Sequence, residues 1–322
     1  MNIVRLGLSF SLEQMFQVLY FHPKSILIPL SERPSFPPRL ALAISIVAVS
    51  TASVLIRMSD TGPLAIAAYR LTFSTLILLP YFVWSGGITK LRKLNKRELL
   101  TLAGVGIVLA LHFASWITSL GLTSVASSVI FVHIDPIFVA AVSHFFLGER
   151  INRGTLAGIA VAFAGAALIA YGDAGAGQAN LYGDLLALVG AIMLGLYILA
   201  GRRLRQSLDL VTYVTPVYAV SAVTLIAGGL ASGTPMGPFP MKEYALFLAI
   251  AVVPMIFGHT VYNWTLRYLK ASLVSISLLG EPVGATILAY VFLNEVPSSL
   301  TLIGGTVTLV GIYICMRNTP SS

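Results

Sequence analysis

Long apolar runs, separated by short polar or glycine- and proline-rich breaks, make up most of the chain from residue 39 onward. A helix needs roughly 20 apolar residues to cross a bilayer core about 30 Å thick. Runs of this length predict ten transmembrane helices. Their predicted bounds are 39–58, 63–84, 98–119, 123–147, 154–172, 181–201, 210–231, 243–266, 270–293 and 298–316.

The low share of charged residues indicates which class of protein these apolar helices belong to. Of the 322 residues, 57% are apolar and only 10% are Asp, Glu, Lys or Arg, whereas a soluble domain carries roughly 25% charged residues. So few charges cannot cover a surface that faces water. This excludes an ordinary soluble enzyme, a disordered protein and a free nucleic-acid binder, and it indicates a polytopic all-α membrane protein.

The N-terminal segment departs from this pattern. Residues 1–37 lack an apolar span and also lack the charged start, apolar stretch and cleavage site of a secretory signal. We expect a mobile cytoplasmic extension, or a translation start assigned too early. The alternative is an amphipathic helix at about 3–20 that lies in the membrane interface.

The basic residues predict how the chain crosses the membrane. With the N-terminus in the cytoplasm, ten spans return the C-terminus there. Of the 20 Lys and Arg residues, only Arg57, Arg70 and Lys242 then fall outside the cytoplasmic segments. Because positive charge concentrates on the cytoplasmic side, we expect a multi-pass protein of the cell membrane with both termini inside. The same distribution accounts for the net charge of +8 without a nucleic-acid partner.

The chain also repeats itself, at an offset of 146 residues. Residues 120–171 align without gaps on residues 266–317, and eleven of those 52 positions are identical. Each copy has five spans, and because five is odd the second copy enters the membrane upside down. Inverted repeats of this kind recur in secondary transporters. The predicted units are an extension at 1–37, a first repeat at 38–172, a linker at 173–180, a second repeat at 181–317 and a cytoplasmic tail at 318–322.

Short motifs in both copies resemble those of a known family. The motifs are 145–150 (Phe-Phe-Leu-Gly-Glu-Arg) with Gly158 and Gly165, and 279–282 (Leu-Gly-Glu-Pro) with 292–295 (Phe-Leu-Asn-Glu) and Gly304. They resemble the fourth and fifth helices of EamA-type repeats in the drug/metabolite transporter superfamily. The resemblance implies carriers that mostly export small metabolites, often amino acids or their derivatives. Asn294 replaces a glycine, and Asp135 stands where an apolar residue is more usual, so the substrate stays open.

Two acidic residues near mid-span are the sharpest functional candidates. Asp135 and Glu281 each precede a proline in helices 4 and 9, and a charge at the bilayer centre costs roughly 2.5–3.5 kcal/mol. Proline lacks a backbone N–H, so both helices should be kinked there. We interpret the pair as a proton-coupling site or an anchor for a substrate ammonium group. The alternative is a protonated carboxyl that hydrogen-bonds a neighbouring helix.

Helices 3 and 8 each present a polar and aromatic face at helical spacing. The two faces indicate a shared cavity, although intramembrane histidines often only bond one helix to another, and a tryptophan can anchor at the interface. The residues are His112, Ser115, Trp116 and Ser119 in helix 3, and His259, Tyr262 and Asn263 in helix 8.

Further candidates lie on other helices. Arg70 is expected some 10 Å deep in helix 2, where it either snorkels outward or pairs with a carboxylate. Tyr197 in helix 6 is a candidate cavity residue. His133 lies two residues from Asp135 and so points about 200° away around the helix, which means that both cannot face one cavity. We therefore expect His133 to share an interhelical stripe with His144 and not to form a metal site.

Residues at the span ends and on small-residue faces are interpreted as structural. Glu149 and Glu295 end helices 4 and 9, where pairing or capping is expected. Helices 5 and 10 carry small residues at close-packing spacing, which predicts a helix contact within the monomer or in a homodimer. No glycine-rich phosphate loop follows a strand, so no cofactor is expected. The small residues are Gly154, Gly158, Ala162 and Gly165, and Gly304, Thr308 and Gly311.

Together these features predict a secondary carrier that works by alternating access, and not an enzyme. The mid-span formal charges of Asp135, Glu281 and Arg70 sum to minus one, which favours a zwitterionic or cationic metabolite such as an amino acid. The family resemblance implies export, and Glu281 suggests coupling to protons. The expected partners are this small-molecule substrate, the lipid bilayer and protons. A channel-like permease is the alternative, and an intramembrane enzyme built on His112 or His259 is the remote one, since the sequence has no nucleophile elbow or metal triad.

Overall fold

A computed structural model describes residues 34–138, 152–205, 207–269, 274 and 277–318. These residues form helices joined by short turns. The predictions for residues 1–33, His144 and Glu149 lie outside the described residues. The helices are α1 (Pro38–Ser50), α2 (Ala52–Arg57), α3 (Pro63–Trp84), α4 (Gly87–Arg92), α5 (Lys96–Leu120), α6 (Val125–Val132), α7 (Arg153–Ala176), α8 (Gln178–Leu204), α9 (Leu210–Ala231), α10 (Met241–Ile250), a π-helical segment (Ala251–Thr260), α11 (Val261–Thr265), α12 (Gly280–Leu293) and α13 (Ser299–Asn318).

Within the described ranges, seven helices are long and apolar enough to cross a membrane. An all-helical multi-pass protein is therefore confirmed, whereas the arrangement of ten spans in two inverted repeats stays a prediction. The seven are Pro38–Arg57, Pro63–Trp84, Lys96–Leu120, Arg153–Gly172, Asn180–Gly201, Leu210–Ala231 and Met241–Thr265, and the shorter apolar helices are Val125–Phe138, Gly280–Leu293 and Ser299–Cys315.

Local sequence signals set where several helices begin. Asn95 and Glu98 form a reciprocal capping box at the start of α5, which satisfies two backbone N–H groups that the helix leaves unpaired. The Asp209 side chain accepts a hydrogen bond from the backbone N–H of Thr212 at the start of α9. Pro63 occupies the first turn of α3, where its missing N–H costs nothing.

The segment at 173–180, predicted as a linker, is mostly helical. Helix α7 continues to Ala176 and α8 begins at Gln178, so only Gly177 separates them. Gly177 has a φ of 131°, a conformation that L side chains rarely adopt. A single glycine therefore makes the turn for which the sequence suggested an eight-residue linker.

Helices α7 and α13 are antiparallel and pack closely through their small residues. Asn152, just before α7, donates a hydrogen bond to the carbonyl of Asn318 at the end of α13. A Cβ added to Gly165 would lie 2.5 Å from the Thr308 backbone nitrogen, so only glycine permits this approach. The contacts are reciprocal, because Gly158 meets Gly311 and Gly165 meets Gly304. The predicted small-residue contact therefore lies inside the monomer.

The two helices that carry the mid-span acids are interrupted at corresponding positions. Helix α6 ends at Val132, a turn occupies His133 and Ile134, and helical structure resumes at Asp135. In the second copy a turn at Leu279, 146 residues after His133, precedes α12. The kink predicted for helix 4 at Pro136 is therefore a break in the helix at His133 and Ile134. Pro136 has no N–H to bond the preceding turn of helix, so the kink becomes a break.

Candidate functional site

Four charged or titratable side chains lie buried near the middle of the bundle. They come from α3, from the break after α6 and from the start of α12, and we call them the charged cluster. None is more than 7% exposed. Burial of four such groups is costly unless each finds a partner, so the contacts of each are informative. The cluster consists of Arg70, His133, Asp135 and Glu281.

His133 and Glu281 form an ion pair between the two broken helices. The His133 Nε2 and Glu281 Oε2 atoms lie 3.2 Å apart. The opposite ring nitrogen, Nδ1, lies 2.8 Å from the Val129 carbonyl oxygen, which accepts hydrogen bonds and cannot donate them, so Nδ1 carries a hydrogen. A hydrogen bond between Nε2 and the carboxyl group then requires one more proton, carried by either partner. Nε2 and Oε2 are therefore placed so that one proton can pass between them.

Asp135 adds a second acid beside this pair. It interacts electrostatically with both His133 and Glu281. The expectation that His133 faces away from Asp135 assumed a continuous helix, and the turn at His133 and Ile134 removes that assumption. His133 does make the predicted interhelical contact, but its partner in that contact is Glu281, a candidate site residue. The sequence analysis therefore missed His133 as a member of the cluster.

Arg70 is the cation of the cluster, and its side chain is fully buried. Snorkelling to the membrane surface, one of the two alternatives from sequence, is therefore wrong. Its guanidinium carbon lies 4.2 Å from the centre of the Phe113 ring, and its Nε donates to the Met255 sulfur at 3.4 Å. Neither of its two Nη atoms has a hydrogen-bond partner among the described residues. Arg70 interacts electrostatically with Glu281.

The predicted face of helix 3, which is α5 in the structure, meets the predicted face of helix 8 in the π-helical segment and α11. The two faces lie next to Arg70 and form what we call the aromatic cluster. The His112 ring stacks on Trp116 with centroids 6.0 Å apart, and it lies 6.5 Å from the His259 ring. His259 also contacts Phe113 at 5.4 Å and Tyr262 at 5.7 Å. Candidates from helix 3 and helix 8 therefore lie together in one cluster.

Asn263 and Tyr197 extend the aromatic cluster, whereas Ser115 does not. The Asn263 Nδ2 donates to the Tyr197 hydroxyl at 2.9 Å, which joins helices α11 and α8. The Ser115 hydroxyl donates to the Leu111 carbonyl of its own helix at 2.8 Å. Ser115 thus satisfies its polar atom locally.

Several buried polar atoms near the two clusters have no hydrogen-bond partner within the described part of the chain. Buried polar groups in folded proteins are nearly always paired. A concentration of unpaired ones in one place is typical of a site that a ligand or water completes. The atoms are Arg70 Nη1 and Nη2, Trp116 Nε1, His259 Nδ1, Tyr262 Oη and Asn263 Oδ1.

The family model described as the EamA-like transporter family matches residues 39–171 and, separately, residues 181–317. The chain belongs to the EamA-like transporter family. It is 27% identical to an uncharacterized transporter of Archaeoglobus fulgidus, over 85% of this chain and 95% of that protein. The resemblance proposed from the sequence motifs is thus confirmed.

Two further relatives of this EamA-like transporter carry exporter names. A probable terminal-alkyne amino-acid exporter of Streptantibioticus cattleyicolor is 27% identical, over 58% of this chain and 63% of that protein. The pseudopaline exporter CntI of Pseudomonas aeruginosa is 27% identical, over 66% and 73%. A solved crystal structure superposes with a TM-score of 0.62 at 19% identity, over 88% of this chain and 97% of that one, which shows a shared fold.

At one end of the transporter, polar contacts join helices from both halves of the chain. The Arg57 side chain donates to the Leu120 carbonyl at 2.6 Å, and it lies 3.5 Å from the Glu295 carboxylate. That carboxylate also accepts the Val125 backbone N–H at 2.6 Å. Asn294 adopts a φ of 53°, which asparagine tolerates better than most residues, so it can replace glycine before Glu295. The structural interpretation of Glu295 agrees with these contacts.

At the opposite end, an ion pair joins Lys90, in α4, to Asp209, the cap of α9, at 3.0 Å. Burial acts to raise the pKa of Asp209, but hydrogen bonds from Thr212 and Lys90 outweigh it and hold that pKa below its usual value. Burial lowers the pKa of Arg205 to about 10. Arg205 donates to the Leu208 carbonyl at 2.6 Å.

The described residues contain no group of three or more His, Cys, Asp or Glu side chains that could hold a metal ion. The π-helical segment, which includes Pro254 and His259, was not predicted from sequence. Such segments are frequent at functional sites. The proline was the available signal, since it removes a backbone donor inside an apolar run.

Proposed function

We propose that the protein is a secondary carrier that moves a small zwitterionic or cationic metabolite across the cell membrane by alternating access. The observation that carries this proposal is the buried ion pair between His133 and Glu281. It joins two helices that break at corresponding positions, and it lies beside a second acid and a buried arginine. Broken helices that meet near the bilayer midplane are the usual setting of substrate and coupling-ion sites in transporters.

The pair suits proton exchange because one proton can pass between Nε2 and Oε2. A substrate ammonium group that reaches Glu281 or Asp135 competes for the same carboxylates. Proton release and substrate binding are then mutually exclusive, which is the requirement for antiport. Two relatives are named as exporters, one of them of an amino acid, and this favours export of an amino acid or related compound in exchange for entering protons.

The ion pairs at the two ends of the bundle suit a carrier that opens one side at a time. Opening at the Arg57–Glu295 contact would expose the clusters to one side, and opening near Lys90 and Asp209 would expose them to the other. From the distribution of basic residues we propose that Lys90 and Asp209 face the cytoplasm, as do both termini. This assignment follows the tendency of positive charge to stay inside.

The proposal is tested with purified protein in liposomes that contain a pH-sensitive dye. An inwardly directed proton gradient is applied, and efflux of a labelled mixture of L-amino acids is followed. We expect Glu281→Gln to reduce gradient-driven efflux by about tenfold or more, because the loss of a charged hydrogen-bond partner typically costs roughly 1.5–3 kcal/mol. Exchange without a proton gradient should persist.

Glu98→Gln provides the matched control. It makes the same chemical change at the start of α5, where glutamine also completes a capping box, and its flux should equal that of the wild type. Unchanged gradient-driven efflux in Glu281→Gln would remove Glu281 from coupling. A channel-like permease predicts flux that does not saturate and shows no counterflow, so saturable counterflow by the wild type distinguishes the carrier.

A further inference from the structure

We infer that Arg70 binds a carboxylate of the substrate, so that the transported compound is a zwitterion with an ammonium group toward Asp135 and Glu281. This inference rests on the proposed function, and it narrows the substrate from any zwitterion or cation to compounds that carry a carboxylate.

The first reason is that Arg70 is a buried cation whose hydrogen-bonding capacity is mostly unused. Its side chain is 0% exposed, and neither Nη atom has a partner among the described residues. The guanidinium lies over the face of the Phe113 ring, and its Nε donates to the Met255 sulfur. Both are weak partners for a full charge. Buried N–H groups that lack a hydrogen-bond partner are costly, and more so on a charged group. A carboxylate at the two Nη atoms would supply the hydrogen bonds that the described residues do not.

The second reason is that the nearby acids already have His133 as a partner. Glu281 interacts electrostatically with Arg70, but its carboxylate lies 3.2 Å from His133 Nε2. Asp135 interacts with His133 and Glu281. The two free Nη atoms present parallel N–H donors, and this fork matches the two oxygens of a carboxylate.

The third reason is a row of ring contacts that leads from the arginine toward the acids. Phe113, on which Arg70 lies, contacts His259 at 5.4 Å, and His259 contacts Tyr262 at 5.7 Å. The carboxyl groups of Asp135 and Glu281 lie close enough for their charge to act on the Tyr262 hydroxyl. His259 Nδ1 and the Tyr262 hydroxyl have no partner in the described structure. A molecule with one charge at each end of this row would satisfy both ends at once.

Other substrate classes fit this arrangement less well. An amine without a carboxylate would leave Arg70 unpaired and would bring another positive charge near it. A phosphate ester would place two negative charges close to Asp135 and Glu281, where like charges repel. A monoanionic carboxylate with an ammonium group balances both ends.

The test compares counterflow of an L-amino-acid mixture with counterflow of the corresponding amino-acid amides, whose carboxylates are neutralised. Liposomes that contain the full chain are preloaded with each mixture. For the wild type we expect the acids to exchange about tenfold or more faster than the amides, the effect of one bidentate charged contact. Arg70→Gln should lower the rate for the acids to that for the amides, and Arg70→Lys should give an intermediate ratio because lysine keeps only the charge.

Arg205→Gln is the matched control, because Arg205 is also buried but its side chain donates to the backbone carbonyls of Leu208 and Asn263. It should keep the wild-type ratio of acid to amide, and this ratio does not depend on how much protein folds. If counterflow occurs but the ratio is near one, or is unchanged in Arg70→Gln and Arg70→Lys, the role of Arg70 is refuted and the carrier stands. Absence of counterflow for every compound would refute the proposed carrier itself.

Discussion

Two buried regions of the molecule differ in what they bury. The contact between α7 and α13 buries backbone and small residues, whereas the two central clusters bury polar and charged side chains. Along α7 and α13, glycines bring the two backbones together and few polar atoms are involved. In the centre, an arginine, two histidines, two acids and several aromatic hydroxyl or ring N–H groups are buried. Some of these polar atoms have no partner within the described residues.

The difference separates the part of the molecule that serves stability from the part that serves binding. Close packing of small residues in a membrane gains van der Waals contact without any polar cost. Polar atoms buried without a partner cost free energy, and we propose that the substrate pairs those of the central clusters. Substitutions should therefore have opposite consequences in the two regions.

Breaking the glycine contact should have the largest effect on stability. In Gly158→Ala the new Cβ would overlap the backbone of Cys315 and approach the Gly311 carbonyl oxygen. Overpacking of this kind typically costs about 1–3 kcal/mol, and backbone atoms cannot move aside as a side chain can. We expect a clear fall in the apparent unfolding temperature of the protein in detergent.

Gly104→Ala is the control for this change, since a Cβ at Gly104 meets nothing within 4 Å. Alanine is favoured over glycine inside a helix by roughly 0.5–1 kcal/mol, so Gly104→Ala should raise the unfolding temperature slightly. Equal unfolding temperatures for the two variants would mean that α7 and α13 do not approach as closely as described.

Substitution of two tyrosines in the central region compares a hydroxyl without a partner with one that accepts a hydrogen bond. Tyr262→Phe removes a hydroxyl that has no partner in the described structure, whereas Tyr197→Phe removes the acceptor of a 2.9 Å hydrogen bond from Asn263. A net buried hydrogen bond contributes about 1 kcal/mol. We expect Tyr197→Phe to lower stability by about this amount and Tyr262→Phe to leave it unchanged or raise it.

The two variants are compared by unfolding temperature and by counterflow of the amino-acid mixture. Tyr262→Phe should weaken counterflow while the protein stays stable, because the hydroxyl is kept for the substrate. If Tyr262→Phe instead destabilises the protein as much as Tyr197→Phe, its hydroxyl has a structural partner and is not part of the site.

Much of this arrangement follows from sequence spacing. The faces of helices 3 and 8 were predicted from the spacing of His112 and Trp116, and of His259 and Tyr262, because helical periodicity fixes which side chains share a face. The small-residue contact of α7 and α13 was predicted for the same reason. The family resemblance rested on motifs that the family model also matches.

Other features depend on backbone geometry that periodicity cannot supply. His133 makes the interhelical contact predicted for it, but its place beside Asp135 was not predicted. A turn at His133 and Ile134 interrupts the helix, and a helical wheel holds only for continuous helix. Arg70 could equally have reached the surface, since the depth of a residue does not say which neighbours surround it. The turn at Gly177 was missed because alanine- and glycine-rich sequence permits both helix and linker.

We expect the smallest effect on the unfolding temperature when the charge of Asp209, at one end of the bundle, is removed. Asn caps helices about as well as Asp, so Asp209→Asn removes the ion pair with Lys90 while it keeps the cap of α9. Both side chains are partly exposed, at 46% for Lys90 and 37% for Asp209, and pairs of this kind contribute roughly 0.2–1 kcal/mol. Asp209→Asn should therefore lower the unfolding temperature only slightly at pH 7.

The pH dependence of this loss identifies its cause. The pKa of Asp209 lies below its usual value in the folded protein, so its contribution is present above the unfolded pKa of about 3.9 and fades as the pH falls through the folded pKa. The difference in unfolding temperature between wild type and Asp209→Asn should be constant from pH 7 to about pH 5 and should shrink below about pH 4. A difference that persists at low pH would trace the loss to the cap and not to the charge, because only the charge is removed by protonation.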